Sequence, residues 1–121
     1  MTRCWGGAWR RRSTHASPQP AVRAAGAPAA AERAVARLTR SAAPERFWVH
    51  VDADVLDDAV MPAVDYRQPG GLSPDELATF LAAAIATGRV AGVEVTIYNP
   101  ALDRDGTAGD ALTAALLRGL G

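Results

Sequence analysis

The sequence has no lysine and a single cysteine, Cys4, among its 121 residues. One cysteine excludes an internal disulfide framework and a cysteine-based zinc site, and it fits a reducing compartment, so a cytoplasmic location is expected. No apolar run approaches the roughly 20 residues that a membrane-crossing helix requires, so no membrane partner is expected. Histidine is scarce: His15 and His50 are the only two, and neither adjoins a cysteine or serine that it could activate. No glycine-rich phosphate loop follows a strand-like run, since Gly70-Gly71 reads as a turn ahead of a helix cap.

Without lysine, all 13 basic residues are arginine. The formal charge is zero, but residues 1–46 hold nine arginines and two acids while residues 47–121 hold four arginines and eleven acids. Together with the abundance of alanine, this arginine usage reads as coding bias in a GC-rich genome, and no nucleic-acid partner is expected from it. The length suits one small domain or a piece of a larger one.

Residues 1–28 carry the least folding information. Trp5, Trp9 and Arg10-Arg11-Arg12 are followed by serine, threonine, proline, alanine and glycine with no clear period. Such a composition cannot bury enough apolar surface to order itself, so a disordered or non-native basic arm is expected there. Residues 29–42 have helical propensity, with Ala34, Val35, Leu38 and Ala42 as an apolar stripe. Residues 47–52 read as a strand and residues 55–72 as a long connection. Ser73-Pro74-Asp75-Glu76 is a capping box with proline at the first helical position, and it starts a helix that ends at Gly88. A second strand spans residues 90–97 and a last helix follows Thr107, with Leu112, Ala115 and Leu116 inward. The order α-β-α-β-α points to a parallel βαβ unit whose strands expect helices and further strands around them.

The chemistry gathers at the end of the first strand, Phe47-Trp48-Val49-His50-Val51-Asp52-Ala53-Asp54. Side chains two apart on a strand share a face, so Asp52 and Asp54 can reach one ion. Hard carboxylate oxygens suit magnesium or manganese; the alternative is a solvated acidic turn. His50 lies on the same face, either as a ligand or as a packed, hydrogen-bonded histidine. Asp57 and Asp58 either support the ligands or cap the loop. Glu94, inside an apolar strand, must find a partner or reach the wet end, as a substrate anchor or as half of an ion pair.

Residues 48–58 resemble the second metal-binding motif of the arginase–agmatinase (ureohydrolase) family, commonly Ser-x-Asp-x-Asp-x-x-Asp-Pro. His50 stands at the serine, Asp52 and Asp54 at the two ligand aspartates, Asp57 at the third aspartate and Asp58 at the proline. Pro62, the Gly70-Gly71-Leu72-Ser73 turn and the strand from Gly92 to Asn99-Pro100 continue the likeness in order, over about residues 30–120. The resemblance implies a three-layer α/β/α parallel sheet of the arginase–deacetylase kind, of which residues 29–121 are the C-terminal part. It implies a binuclear manganese (Mn2+) centre, with Asp52 bridging and Asp54 on one ion, that activates water against a small guanidino or amidine substrate. The family's earlier ligand segments, Gly-Gly-x-His and Asp-Ala-His-x-Asp, have no match in residues 1–46, so the centre is incomplete and the chain alone is expected to be weakly active or inactive. Arginases place a glutamate two residues before the Asn-Pro. Ile97 stands there, so arginine itself is not the favoured substrate.

Two other readings compete. In a haloacid-dehalogenase-like phosphatase, Asp52 would be the nucleophile and Asp54 the general acid, but Val55-Leu56 replaces the expected Gly-Thr or Gly-Val and the expected downstream lysine is absent. In a non-catalytic remnant or binding module, open strand edges would pair with another chain and give a homo-oligomer.

Overall fold

The computed structural model describes residue 22, residues 24–40 and residues 46–121. All but residues 22 and 24–28 of the segment assigned to the basic arm lie outside the described residues, as does Ala42 of the expected apolar stripe. The described elements run α1 (Ala27–Thr39), β1 (Phe47–Asp52), α2 (Pro74–Ile85), β2 (Val90–Thr96) and α3 (Thr107–Leu120), with single 3-10 turns at Ala53–Val55 and Pro100–Leu102. This is the α-β-α-β-α order of a parallel α/β fold.

β1 and β2 pair in parallel, with Val49 opposite Val93, His50 opposite Glu94, Val51 opposite Val95 and Asp52 opposite Thr96. The alternation of side chains divides the sheet into two unlike faces. Val51 is buried, and Val49 and Val93 pack against one core with Ala27 and Ala30 of α1, Leu77 and Leu81 of α2, and Ala108, Leu112 and Ala115 of α3. The other face carries Trp48, His50 and Asp52 beside Gly92, Glu94 and Thr96. It is largely open, and Trp48 is 66% exposed. No helix among the described residues is long and apolar enough to cross a membrane.

α2 begins as its sequence requires. The Ser73 hydroxyl accepts from the Glu76 amide at 3.2 Å, and the Glu76 carboxylate accepts from the Ser73 amide at 2.8 Å. α3 packs along α2, and Gly119 lies at a close approach between them: a Cβ there would meet the Leu81 Cβ at 2.6 Å and the Ala78 carbonyl oxygen at 2.9 Å.

Two expectations are corrected. The buried stripe of α1 is Ala27, Ala30 and Ala31, whereas Ala34 is exposed and Leu38 is 51% exposed. Ala34, Val35 and Leu38 instead wall a groove along β1. An alanine-rich helix offers several nearly equivalent apolar stripes, so the pattern alone does not select the one that packs. The connection 55–72 is also less loose than its length suggests. Met61, Ala63 and Val64 are buried, and Leu56 pairs with Leu72 in an isolated parallel bridge. Val22 is buried too, so packing extends into the segment assigned to the arm.

Candidate metal centre

The strand end is built by the residues that follow it. After Asp52 the chain turns at once into Ala53–Val55, which carries Asp54. The Leu72 amide donates to the Val55 carbonyl at 2.8 Å and the Asp57 amide donates to the Leu72 carbonyl at 2.9 Å, so the Gly-Gly-Leu-Ser turn clips the segment just past Asp54. Asp57 closes the connection from inside. Its Oδ1 accepts from the Ala59 amide at 3.0 Å and its Oδ2 from the Gly70 amide at 2.8 Å. Asp57 thus ties residues 59 and 70 of the connection together through its two carboxylate oxygens. Asp58 accepts from Arg67 through its backbone carbonyl at 3.1 Å and lies 3.5 Å from the same guanidinium through its carboxylate.

Asp52, Asp54 and His50 all line one groove of about 880 Å³, lined also by Ala31, Ala34, Val35 and Leu38 of α1 and by Leu77, Phe80 and Leu81 of α2. His50 bridges two carboxylates: its Nε2 lies 2.7 Å from Asp52 Oδ1 and its Nδ1 lies 2.7 Å from Glu94 Oε1. The Thr96 hydroxyl donates to the same Asp52 Oδ1 at 2.5 Å. His50 thus hydrogen-bonds both Glu94 and Asp52. The Glu94 carboxylate, and next the Asp52 carboxylate, raise the His50 pKa above its ordinary 6.5 by stabilising the imidazolium. The Thr96 hydroxyl chiefly lowers the Asp52 pKa from its ordinary 3.8; desolvation opposes this and His50 adds to it.

Thr96 is the one member of this cluster that the sequence alone does not flag. Its signal is the register between β1 and β2, which places it opposite Asp52. Ile97, next in the chain, has φ 73°, and among the described residues it is the only one other than glycine in the left-handed region. A β-branched residue there is strained. The chain on either side is fixed: Thr96 bonds Asp52, and beyond Ile97 the Asn99 amide donates to the Ala63 carbonyl at 2.8 Å while the Asn99 side chain donates to Asp65 at 2.7 Å.

The arginase family model matches residues 8–120. The chain belongs to the arginase family. Its fold resembles that of solved ureohydrolases. Formimidoylglutamase from Bacillus subtilis superposes with a TM-score of 0.72 at 26% identity, over 84% of this chain and 31% of that one. A hypothetical agmatinase from Burkholderia thailandensis gives 0.67 at 25% identity, over 82% and 30%. Arginase from Bacillus subtilis gives 0.74 at 21% identity, over 85% and 35%. The chain therefore spans about a third of the length of these structures.

The family is generally metal-dependent. Among the described residues, no group of three or more His, Cys, Asp or Glu side chains is arranged to hold a metal ion. Asp52 and Asp54 carry the hard carboxylate oxygens that would suit a divalent cation. Asp52 and Asp54 both line the groove, and Asp52 Oδ2 takes no hydrogen bond among the described residues. They do not make a complete binuclear centre.

Proposed function

We propose that this chain is the ligand-bearing C-terminal portion of a manganese-dependent ureohydrolase that cleaves a linear C–N bond in a small guanidino or amidine substrate. The observation that carries the reading is the pair Asp52 and Asp54, at the end of β1 and in the turn just after it, both lining one groove, in a chain of the arginase family. The carboxyl ends of parallel strands are where α/β sheets place their ligands. A bound divalent ion would supply acidified water and polarise the substrate carbon. The chain's own part is to hold the carboxylates: the Leu56–Leu72 bridge and the Asp57 hydrogen bonds fix the backbone around Asp54, and β1 fixes Asp52. Ile97 offers no charge to a substrate cation at the same strand end, so a substrate other than arginine is favoured.

The test is the purified chain with Mn2+, read by electron paramagnetic resonance and by turnover of a panel of guanidino and amidine compounds. Mn2+ binding that is lost in Asp52→Asn and Asp54→Asn, with little turnover by the chain alone, is the expected result. Binding indifferent to both substitutions would sink the metal assignment, and robust turnover would sink the assignment of an incomplete centre.

A binding module is the second reading, favoured by a sheet of only two described strands with Trp48, Val95 and Ile97 exposed. Open edges of this kind pair with other strands. Light scattering after size exclusion separates the two: a cooperatively unfolding monomer argues against self-association.

A further inference from the structure

We propose that His50 is a positioning residue: held by Glu94, it fixes one oxygen of Asp52 together with Thr96 and so presents the other oxygen to a divalent cation. The assignment rests on the reading of Asp52 as a metal ligand and adds the means by which this chain orients that ligand.

The parallel register does the assembling. His50 stands opposite Glu94 and Asp52 opposite Thr96, one step of two residues further along each strand, so all four side chains rise from the same open face. His50 Nε2 at 2.7 Å and Thr96 Oγ1 at 2.5 Å converge on Asp52 Oδ1, and the two donors lie 3.3 Å from each other. Oδ2 takes no hydrogen bond among the described residues. Two donors on one oxygen restrict the rotation of the carboxylate and leave Oδ2 as its oxygen without a hydrogen bond among the described residues.

Glu94 secures the device. With Nδ1 tied to Glu94 Oε1 at 2.7 Å and Nε2 tied to Asp52, the ring has no free nitrogen and cannot turn away. The same geometry weighs against His50 as a metal ligand, because both its nitrogens are already engaged. Groups that orient a ligand in this way typically change metal affinity by about 10- to 100-fold when removed.

The experiment measures free Mn2+ by electron paramagnetic resonance with the chain and its His50→Ala, His50→Gln, Thr96→Val and Glu94→Gln variants, each checked for cooperative unfolding. Glutamine reaches Asp52 with an amide N–H in place of Nε2, so it tests donation separately from the bulk of the ring. His50→Ala and Thr96→Val are expected to weaken Mn2+ binding by about 10- to 100-fold, Glu94→Gln by less, and His50→Gln to restore most of the loss. If His50→Ala does not fold, His50→Gln and Thr96→Val still decide. Unchanged affinity in both His50→Ala and Thr96→Val, or His50→Gln binding as weakly as His50→Ala, overturns the positioning role and leaves the metal assignment standing. A wild-type chain that binds no Mn2+ overturns the metal assignment and this role with it.

Discussion

The backbone of Gly71 lies directly on the backbone of Leu56. A Cβ on residue 71 would come within 2.5 Å of the Asp57 amide nitrogen and 2.6 Å of the Leu56 carbonyl oxygen. This approach brings the Gly-Gly-Leu-Ser turn against the segment that follows Asp54 and allows the Leu56–Leu72 bridge to form. Neither partner can move without breaking that bridge, so Gly71→Ala is expected to destabilise the chain by about 3 kcal/mol, the upper part of the range for overpacking. Urea unfolding checks this; a loss under about 1 kcal/mol would mean that the turn yields easily.

Asp57 spans the same connection from its other side, accepting from Ala59 and Gly70. Asp57→Ala removes the acceptor of both bonds. A loss of about 1–3 kcal/mol is expected, with the Gly70 amide exchanging faster with solvent. Unaltered exchange at Gly70 would show that the bond does not hold the loop.

Stability should depend on pH through His50 and Asp52 in opposite senses. The folded chain holds the His50 proton more tightly than the unfolded chain, because Glu94 and then Asp52 raise its pKa above 6.5. That contribution is fully present below pH 6.5 and is lost as the pH rises through the raised folded value. Asp52, lowered from 3.8 chiefly by Thr96, contributes above pH 3.8 and loses that contribution as the pH falls through its lowered folded value. The cluster therefore stabilises most between pH 3.8 and pH 6.5. Urea midpoints across pH 3–9 should fall on the alkaline side in the wild type and flatten there in His50→Gln. An identical alkaline slope in the variant would contradict the assignment.

At Ile97 the usual ranking of alanine over glycine should reverse. Both substitutions remove the same half-exposed side chain, but only glycine is at ease at φ 73°. Ile97→Gly is expected to be more stable than Ile97→Ala by about 1 kcal/mol, the cost of a left-handed residue with a Cβ. Paired thermal melts measure the difference, and alanine equal to or better than glycine would rule out strain at this position.

Much of the architecture was legible in the residues. β1 has the ends its sequence predicts because a β-branched and aromatic run stops at Asp52, and α2 begins at its capping box. The last helix keeps Leu112 and Ala115 inward as its spacing requires. The stripe of α1 was not legible, since Ala34, Val35 and Leu38 are as apolar as the residues that pack. Nor were the buried Met61, Ala63 and Val64 in a connection rich in proline and glycine.

The sequence by itself determined the two carboxylates at the strand end, the ordered motifs from Asp52 to Pro100, and the imbalance of acids towards residues 47–121. Local chemistry suffices for these, because spacing, caps and turn residues act within a few positions. Only the tertiary structure decided that His50 serves Glu94 and Asp52 together, that Thr96 shares the Asp52 oxygen, and that Ile97 is held in a left-handed conformation. Those outcomes depend on the register between two parallel strands joined by a long crossover. A slip of one residue would turn every side chain of β2 to the opposite face. No short-range pattern fixes that register; the packing of Val51, with Val49 and Val93, against the helices on the inner face does.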